Sequence, residues 1–337
     1  MLARRLSRNA LARVMLPGMA RHRRSWRRVG VLLVAVAVVA LGIVGLTAES
    51  LGEPRPAETA DVEPVLTADA PSPYAGVGTW LSRYRITREF GGPTPPVTPA
   101  DVDAMAAAGV QTLYLQPAAD DPAYPDLLSR DLMEQFLTRA HGHGMQVVAW
   151  YLPHFTDTDG DLRRLQEMID LGFDAVAVDI EFTEDADLPA RNAALVDLSR
   201  RLRAAAPDVV LGAVVLPPVV TDVLNQAYWP SFPWAEIRDS YDVWLPMAYW
   251  SNRTEPEWAD PYRYVSENVR LLREHLGDRC AVVSVVGGYD TGQTAEAYAG
   301  MARAAIDVRA IGVSIYDWTT TPSSAWEPLR GYGADGC

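Results

Sequence analysis

The chain contains no lysine: all 30 of its Lys-plus-Arg positions are arginine. Nine of them fall within residues 1–28, which carry no acid, so the rest of the chain sets 21 arginines against all 43 acids. That strongly acidic remainder argues against a nucleic-acid or polyanionic partner and suits a neutral or cationic substrate. Cysteine is almost absent as well, with only Cys280 and Cys337. Two cysteines are too few for a four-ligand zinc site, and their spacing alone leaves open whether they pair. A Gly-rich phosphate loop is also lacking after the first apolar strand pattern, where SRYRITREFGGPTPP follows Leu81; this counts against a doubly wound nucleotide-binding sheet.

One long run without charge does occur, from Val29 to Leu46, and it is about long enough to span a bilayer. It follows the basic cluster Arg21 to Arg28, so the positive-inside rule predicts a cytoplasmic tail (1–28), a single-pass transmembrane anchor (29–46) and an extracytoplasmic remainder. A cleaved signal peptide, releasing a secreted protein, is the alternative; its cleavage site at Leu46-Thr47-Ala48 would place a bulky residue where a small one is required. Residues 47–75 are rich in Pro, Ala, Glu and Asp with no apolar period, the composition of a disordered linker.

From Gly76 onward one phrase recurs: an amphipathic helix, a Gly or Pro break, then a short apolar strand with a polar or aromatic end. The strands are predicted at Val77 to Leu81, Val110 to Gln116, Met145 to Leu152, Phe173 to Glu181, Val209 to Leu216, Asp242 to Tyr249, Ala281 to Val286 and Ile311 to Trp318. Eight such units, each roughly 30 to 40 residues long, predict an α/β fold, a (β/α)8 TIM barrel over 76–337. Function in that fold sits at the C-terminal strand ends, which here hold Trp80, Tyr114, Gln116, Trp150, His154, Asp179, Glu181, Tyr249, Trp250, Asp290, Tyr316 and Trp318. Cys280 precedes the seventh strand at the barrel floor, and the segment after the eighth should return there, so a Cys280–Cys337 disulfide is predicted.

The fourth strand carries the most chemical information. Side chains alternate along a strand, so Asp179 and Glu181 share one face, roughly 6 to 7 Å apart along it. Two carboxyls at a barrel mouth suit glycoside hydrolysis, in which an acid protonates the leaving oxygen, and Trp and Tyr faces stack on sugar rings. The bland alternative is that these acids cap loops or pair with arginine.

At this point the residues resemble a family. Asp174-Ala-Val-Ala177-Val-Asp179-Ile-Glu181 is similar to the D-x-x-D-x-D-x-E signature of family 18 glycoside hydrolases, Met247-Ala-Tyr249 to their strand-six Met-x-Tyr, Trp318 to their strand-eight Trp, and Val286-Gly-Gly-Tyr289 more loosely to their strand-seven ending. The resemblance implies substrate-assisted, retaining hydrolysis of N-acetylated sugars, with the acetamido group as nucleophile. Glu181 would be the general acid, Asp179 would orient the acetamido group, and Tyr249 would hydrogen-bond to it. Trp80, Tyr114, Gln116, Trp150, His154, Trp250, Tyr316 and Trp318 are the candidate substrate-binding residues. The seventh strand agrees independently, since it offers no Glu as a protein nucleophile. The chain departs from the pattern at Ala177, where the family has its middle Asp, at Trp250, where it has Asp, and at strand three, which lacks S-x-G-G. A neighbouring group of glycosidase-like barrels fits as well.

The reading is thus a membrane-anchored, extracytoplasmic glycosidase with a glycan substrate and no cofactor. The alternatives are a carbohydrate-binding barrel without catalysis, and a metal-dependent hydrolase ligated by Asp179, Glu181 and His154. His141, His143 and Asp174 are read as structural, at the barrel floor.

Overall fold

The apolar runs between Gly and Pro breaks form eight strands: β1 (Gly76–Leu81), β2 (Thr112–Leu115), β3 (Gln146–Tyr151), β4 (Ala175–Ile180), β5 (Leu211–Val215), β6 (Val243–Pro246), β7 (Ser284–Gly287) and β8 (Gly312–Ile315). The structure, a computed structural model, describes residues 72–184, 187–288, 292–333 and 336–337. The predicted anchor at 29–46 and most of the linker lie outside the described residues, as do Tyr289 and Asp290; among the described residues no helix is long and apolar enough to cross a membrane.

All strand pairs are parallel, in the order β6-β5-β4-β3-β2-β1-β8-β7. The edge strands β6 and β7 meet through two isolated bridges, Trp244 with Val283 and Met247 with Val286, which makes the barrel nearly closed. Around it run α1 (Arg83–Ile86), α2 (Arg88–Gly91), α3 (Val102–Ala107), α4 (Arg130–Gly142), α5 (Thr158–Leu171), α6 (Leu188–Ala205), α7 (Trp234–Ile237), α8 (Pro261–Leu276) and α9 (Ala295–Asp307). The unit between β5 and β6 has no full-length helix; a short π-helical turn, Val219–Leu224, and the single turn α7 stand in its place. Helix starts follow local chemistry. The side chains of Asp157, Asp260 and Thr294 accept from Gly160, Arg263 and Ala297 N–H at the starts of α5, α8 and α9, satisfying donors that a first turn leaves open.

Period-two alternation divides the strand residues into two apolar layers. Val176, Val178 and Ile180 of β4 face the helices, whereas Ala175 and Ala177 face a separate inner cluster with Trp80, Tyr114, Val148, Trp150, Val214, Leu245 and Val286. Small residues make room for its rings. A Cβ on Gly78 would lie 2.7 Å from the Tyr114 ring, and one on Gly212 would lie 2.7 Å from the Tyr74 hydroxyl. Tyr74, which the sequence reading leaves in the linker, fills the floor of the barrel and donates through its hydroxyl to the Val176 carbonyl at 2.7 Å.

The floor also repeats a polar device. Gln111, Asp174 and Asp242, each just before a strand, accept from the first N–H groups of the neighbouring strand, Val77 (3.0 Å), Val147 (2.7 Å) and Leu211 (2.8 Å). Asp174 also meets His141 Nε2 at 2.9 Å, and His143 Nε2 meets Asp103 at 2.7 Å. Both histidines thus sit in floor contacts. Cys280, just before β7, is disulfide-bonded to Cys337.

Candidate active site

Alternation carries the β4 acids to the barrel mouth. With Ala175 and Ala177 turned inward, Asp179 faces the lumen one layer higher, and Glu181 follows just beyond the strand. Asp179 is 6% exposed, and its Oδ1 has no hydrogen-bond partner among the described residues. Ala177 beneath it supplies only a methyl group. Glu181 is half-buried. Burial disfavours the charged form of both carboxyls; it pushes Glu181 up to about 7 and, with the adjacent Glu181 charge adding to it, raises Asp179 well above the ordinary aspartate range. The pair thus retains protons at pH values where exposed carboxyls have lost them.

A continuous line of rings lies beside the acids. Tyr114 stacks on Trp80 with centroids 4.1 Å apart and planes 6° apart. Trp80 meets Trp150 edge-on at 5.8 Å, Trp150 meets Tyr316 at 6.3 Å, and Tyr316 meets Tyr249 at 6.4 Å. Tyr249 and Tyr316 are half-buried at the mouth, whereas Trp80 and Tyr114 are buried below it. Trp80 Nε1 donates to Ser314 Oγ at 2.9 Å; Trp150 Nε1, in a ring 5% exposed, has no partner among the described residues.

The other candidate residues are placed differently. Gln116 is tied to the chain after β1, accepting from Arg83 N–H at 3.0 Å. His154 stacks on Phe182, the residue after Glu181, at 4.1 Å, and its backbone N–H donates to Asp120 at 2.6 Å. Trp250 is 2% exposed in the outer layer, packed edge-on against Tyr298, and its indole N–H donates to Gln293 at 2.7 Å. It opens the short 3-10 turn Trp250–Asn252 beyond the end of β6, and these contacts hold it away from the lumen. Trp318 packs on Trp326 at 5.3 Å and adjoins the outer cluster rather than the ring line. Among the described residues no group of three or more His, Cys, Asp or Glu side chains converges as a metal site.

Two polar features near the strand ends escaped the sequence reading. Asp317, buried after β8, accepts from Thr319 and Thr320 and pairs with Arg85 at 3.5 Å. Behind β3, the Tyr151 hydroxyl donates to Asp161 at 2.6 Å, and burial pushes that carboxyl up to about 7. Asp161 stands in the first turn of α5, where acids are ordinary complements to the helix dipole, so its position gave no sign of burial.

The chain matches no protein-family profile, and no curated protein matches it either. Solved structures do. The glycoside hydrolase domain of PgaB (BpsB) from Bordetella bronchiseptica aligns with a TM-score of 0.54 and 12% identity over 78% of this chain and 99% of that one. The endo-β-1,4-mannanase of Thermotoga petrophila aligns at 0.57 and 9% over 77% and 76%, and a chitinase from Chromobacterium violaceum at 0.51 and 13% over 76% and 98%. The architecture shared with these glycoside hydrolases is the (β/α)8 barrel. At these identities the likeness extends to architecture alone.

Proposed function

We propose that the barrel is a glycoside hydrolase acting on N-acetylated sugars by a substrate-assisted, retaining route. The observation that carries the reading is the pair Asp179 and Glu181 at the C-terminal end of β4, with both carboxyls raised by burial beside a wall of aromatic rings. Glu181, holding its proton near neutral pH, delivers it to the glycosidic oxygen as the bond breaks. In the form that keeps one proton across the pair, with that proton on Glu181, the Asp179 carboxylate holds the acetamido N–H and stabilises the positive charge that develops as the acetamido oxygen attacks the anomeric carbon. Tyr249 hydrogen-bonds to the same group. Water then opens the cyclic intermediate, with Glu181 as base. The half-buried ring of Tyr316, at the mouth, supplies an apolar face for the sugar.

The exported, membrane-anchored placement belongs to the same proposal. The Cys280–Cys337 disulfide supports it, because such bonds persist in oxidising compartments. Glu181→Gln should abolish turnover of acetamido glycans in the full chain while sparing their binding; turnover retained by that variant overturns the assignment. A second reading, a carbohydrate-binding barrel without turnover, draws on Ala177, which leaves no carboxyl beneath Asp179 to tune the pair. Binding without turnover by the native chain across acetylated oligosaccharides would establish it.

A further inference from the structure

His154 stands apart from the line of rings, yet it touches the segment that carries Glu181. β4 ends at Ile180, and residues 181–184 follow it without regular secondary structure. Asp179 is fixed by the ladder, paired with Val214 of β5; Glu181 lies beyond it and must be held by other contacts.

The register shows where such contacts come from. Tyr151 pairs with Val178, and His154 stands three residues beyond the one as Glu181 does beyond the other. The His154 ring stacks on Phe182, with centroids 4.1 Å apart and planes 26° apart. Phe182 also packs against the outer apolar cluster, so two contacts hold its ring. The imidazole is itself anchored. Asp120, on the loop after β2, accepts from His154 N–H at 2.6 Å, and the same carboxyl oxygen lies 3.6 Å from His154 Nδ1. The Asp120 side chain is only 8% exposed, and a hydrogen bond so sheltered is not readily exchanged for water. Contacts thus cross three successive loops, from Asp120 to His154 and from His154 to Phe182, which is one peptide bond from Glu181.

We infer that His154 is a positioning residue for Glu181: its ring clamps Phe182, Asp120 fixes the ring, and the carboxyl one residue upstream is thereby aimed at the glycosidic oxygen. This rests on the glycosidase reading above and deepens it. Displacing a catalytic group by about 1 Å costs on the order of a hundredfold in rate, and help from a general acid is worth roughly a hundredfold or more. Loss of the clamp should therefore harm the step that needs the proton. Asp179, within the ladder, keeps its place without it.

The test compares two leaving groups of similar size on the full chain, using the phenyl and dinitrophenyl β-glycosides of the N-acetylglucosamine dimer. Phenolate leaves slowly unless it is protonated, whereas dinitrophenolate departs unaided. The quantity measured is kcat/KM, which covers the steps up to departure of that group. His154→Ala should lower it about tenfold or more for the phenyl glycoside and less than about twofold for the dinitrophenyl glycoside. Turnover of the second substrate also shows that the variant is folded. His154→Phe keeps a ring on Phe182 and the N–H that Asp120 accepts, and should recover most of the loss. Equal losses on both glycosides, or no loss on either, would show that His154 does not aim the acid; the inference then fails while the glycosidase reading stands. If His154→Phe is as impaired as His154→Ala on the phenyl glycoside, the stack is not the cause and the inference fails likewise. If the native chain cleaves neither glycoside, the N-acetylated glycosidase reading fails and takes the inference with it.

Discussion

Glu181→Gln makes a prediction about stability that is independent of any substrate. Raising this carboxyl from its ordinary 4.5 to about 7 means that the native state holds a proton where the unfolded chain has released it. Because the native state binds the extra proton, stability falls as pH rises from about 4.5, and the loss is complete once pH passes about 7. The size follows from the same values, about 3 kcal/mol at pH 8 and about 1 kcal/mol at pH 5, taken as upper limits because Asp179 titrates with it. Glutamine is neutral at every pH and has nearly the same shape. Its stabilisation should therefore be small at pH 5 and largest at pH 8, and it should be enlarged by relief of the Glu181 charge acting on Asp179. Urea denaturation followed by tryptophan fluorescence at the two pH values measures it, with the m-value as a check that the denatured state is unchanged. Equal gains at pH 5 and pH 8, or a net loss at pH 8, would refute burial as the cause. Such a variant, more stable yet inert, would mark the position as one where function is kept at the expense of stability.

Other outcomes follow from the same structure. In the proposed reaction the active form holds one proton across the two carboxyls, so kcat/KM should be bell-shaped with its limbs above the ordinary carboxyl value of about 4 and activity persisting at neutral pH; a profile centred near that ordinary value contradicts the assignment. Gly212→Ala should lower stability by about 2 kcal/mol, because its Cβ would enter the space of the Tyr74 hydroxyl; an unchanged melting temperature would show that Tyr74 does not fill the floor. Cys280→Ser should cost up to about 4 kcal/mol by the chain-entropy relation for a 57-residue separation, and reduction of the native protein should lower its melting temperature comparably.

The barrel and its sequential strand order were legible because its strands are punctuated by Gly and Pro and each is too short for a helix; that β6 and β7 meet only through isolated bridges was not, since closure depends on how the edges meet. The unit between β5 and β6 departs from the recurring helix-and-strand phrase, since it has no full-length helix. Alternation sufficed to bring Asp179, Trp80 and Trp150 to one lumen. Trp250, which a list of strand ends groups with Tyr249, lies beyond the end of β6 at Pro246 and is held outside the lumen by Tyr298 and Gln293. Trp318 lies beyond the end of β8 at Ile315, where alternation no longer binds, and contact with Trp326 decides its place. Asp161 could not be found from sequence, because an acid in a helix's first turn looks the same whether it meets water or a buried tyrosine.

Tyr74 has a mechanical consequence. The chain enters the barrel through its floor, and the first buried ring is fastened to the carbonyl of Val176, on the strand that three residues later carries Asp179. Tension on the upstream chain is therefore shared between a cork hydrogen-bonded to the site-bearing strand and the Thr112 hydroxyl of β2, which donates to the Pro73 and Ala75 carbonyls on either side of that ring.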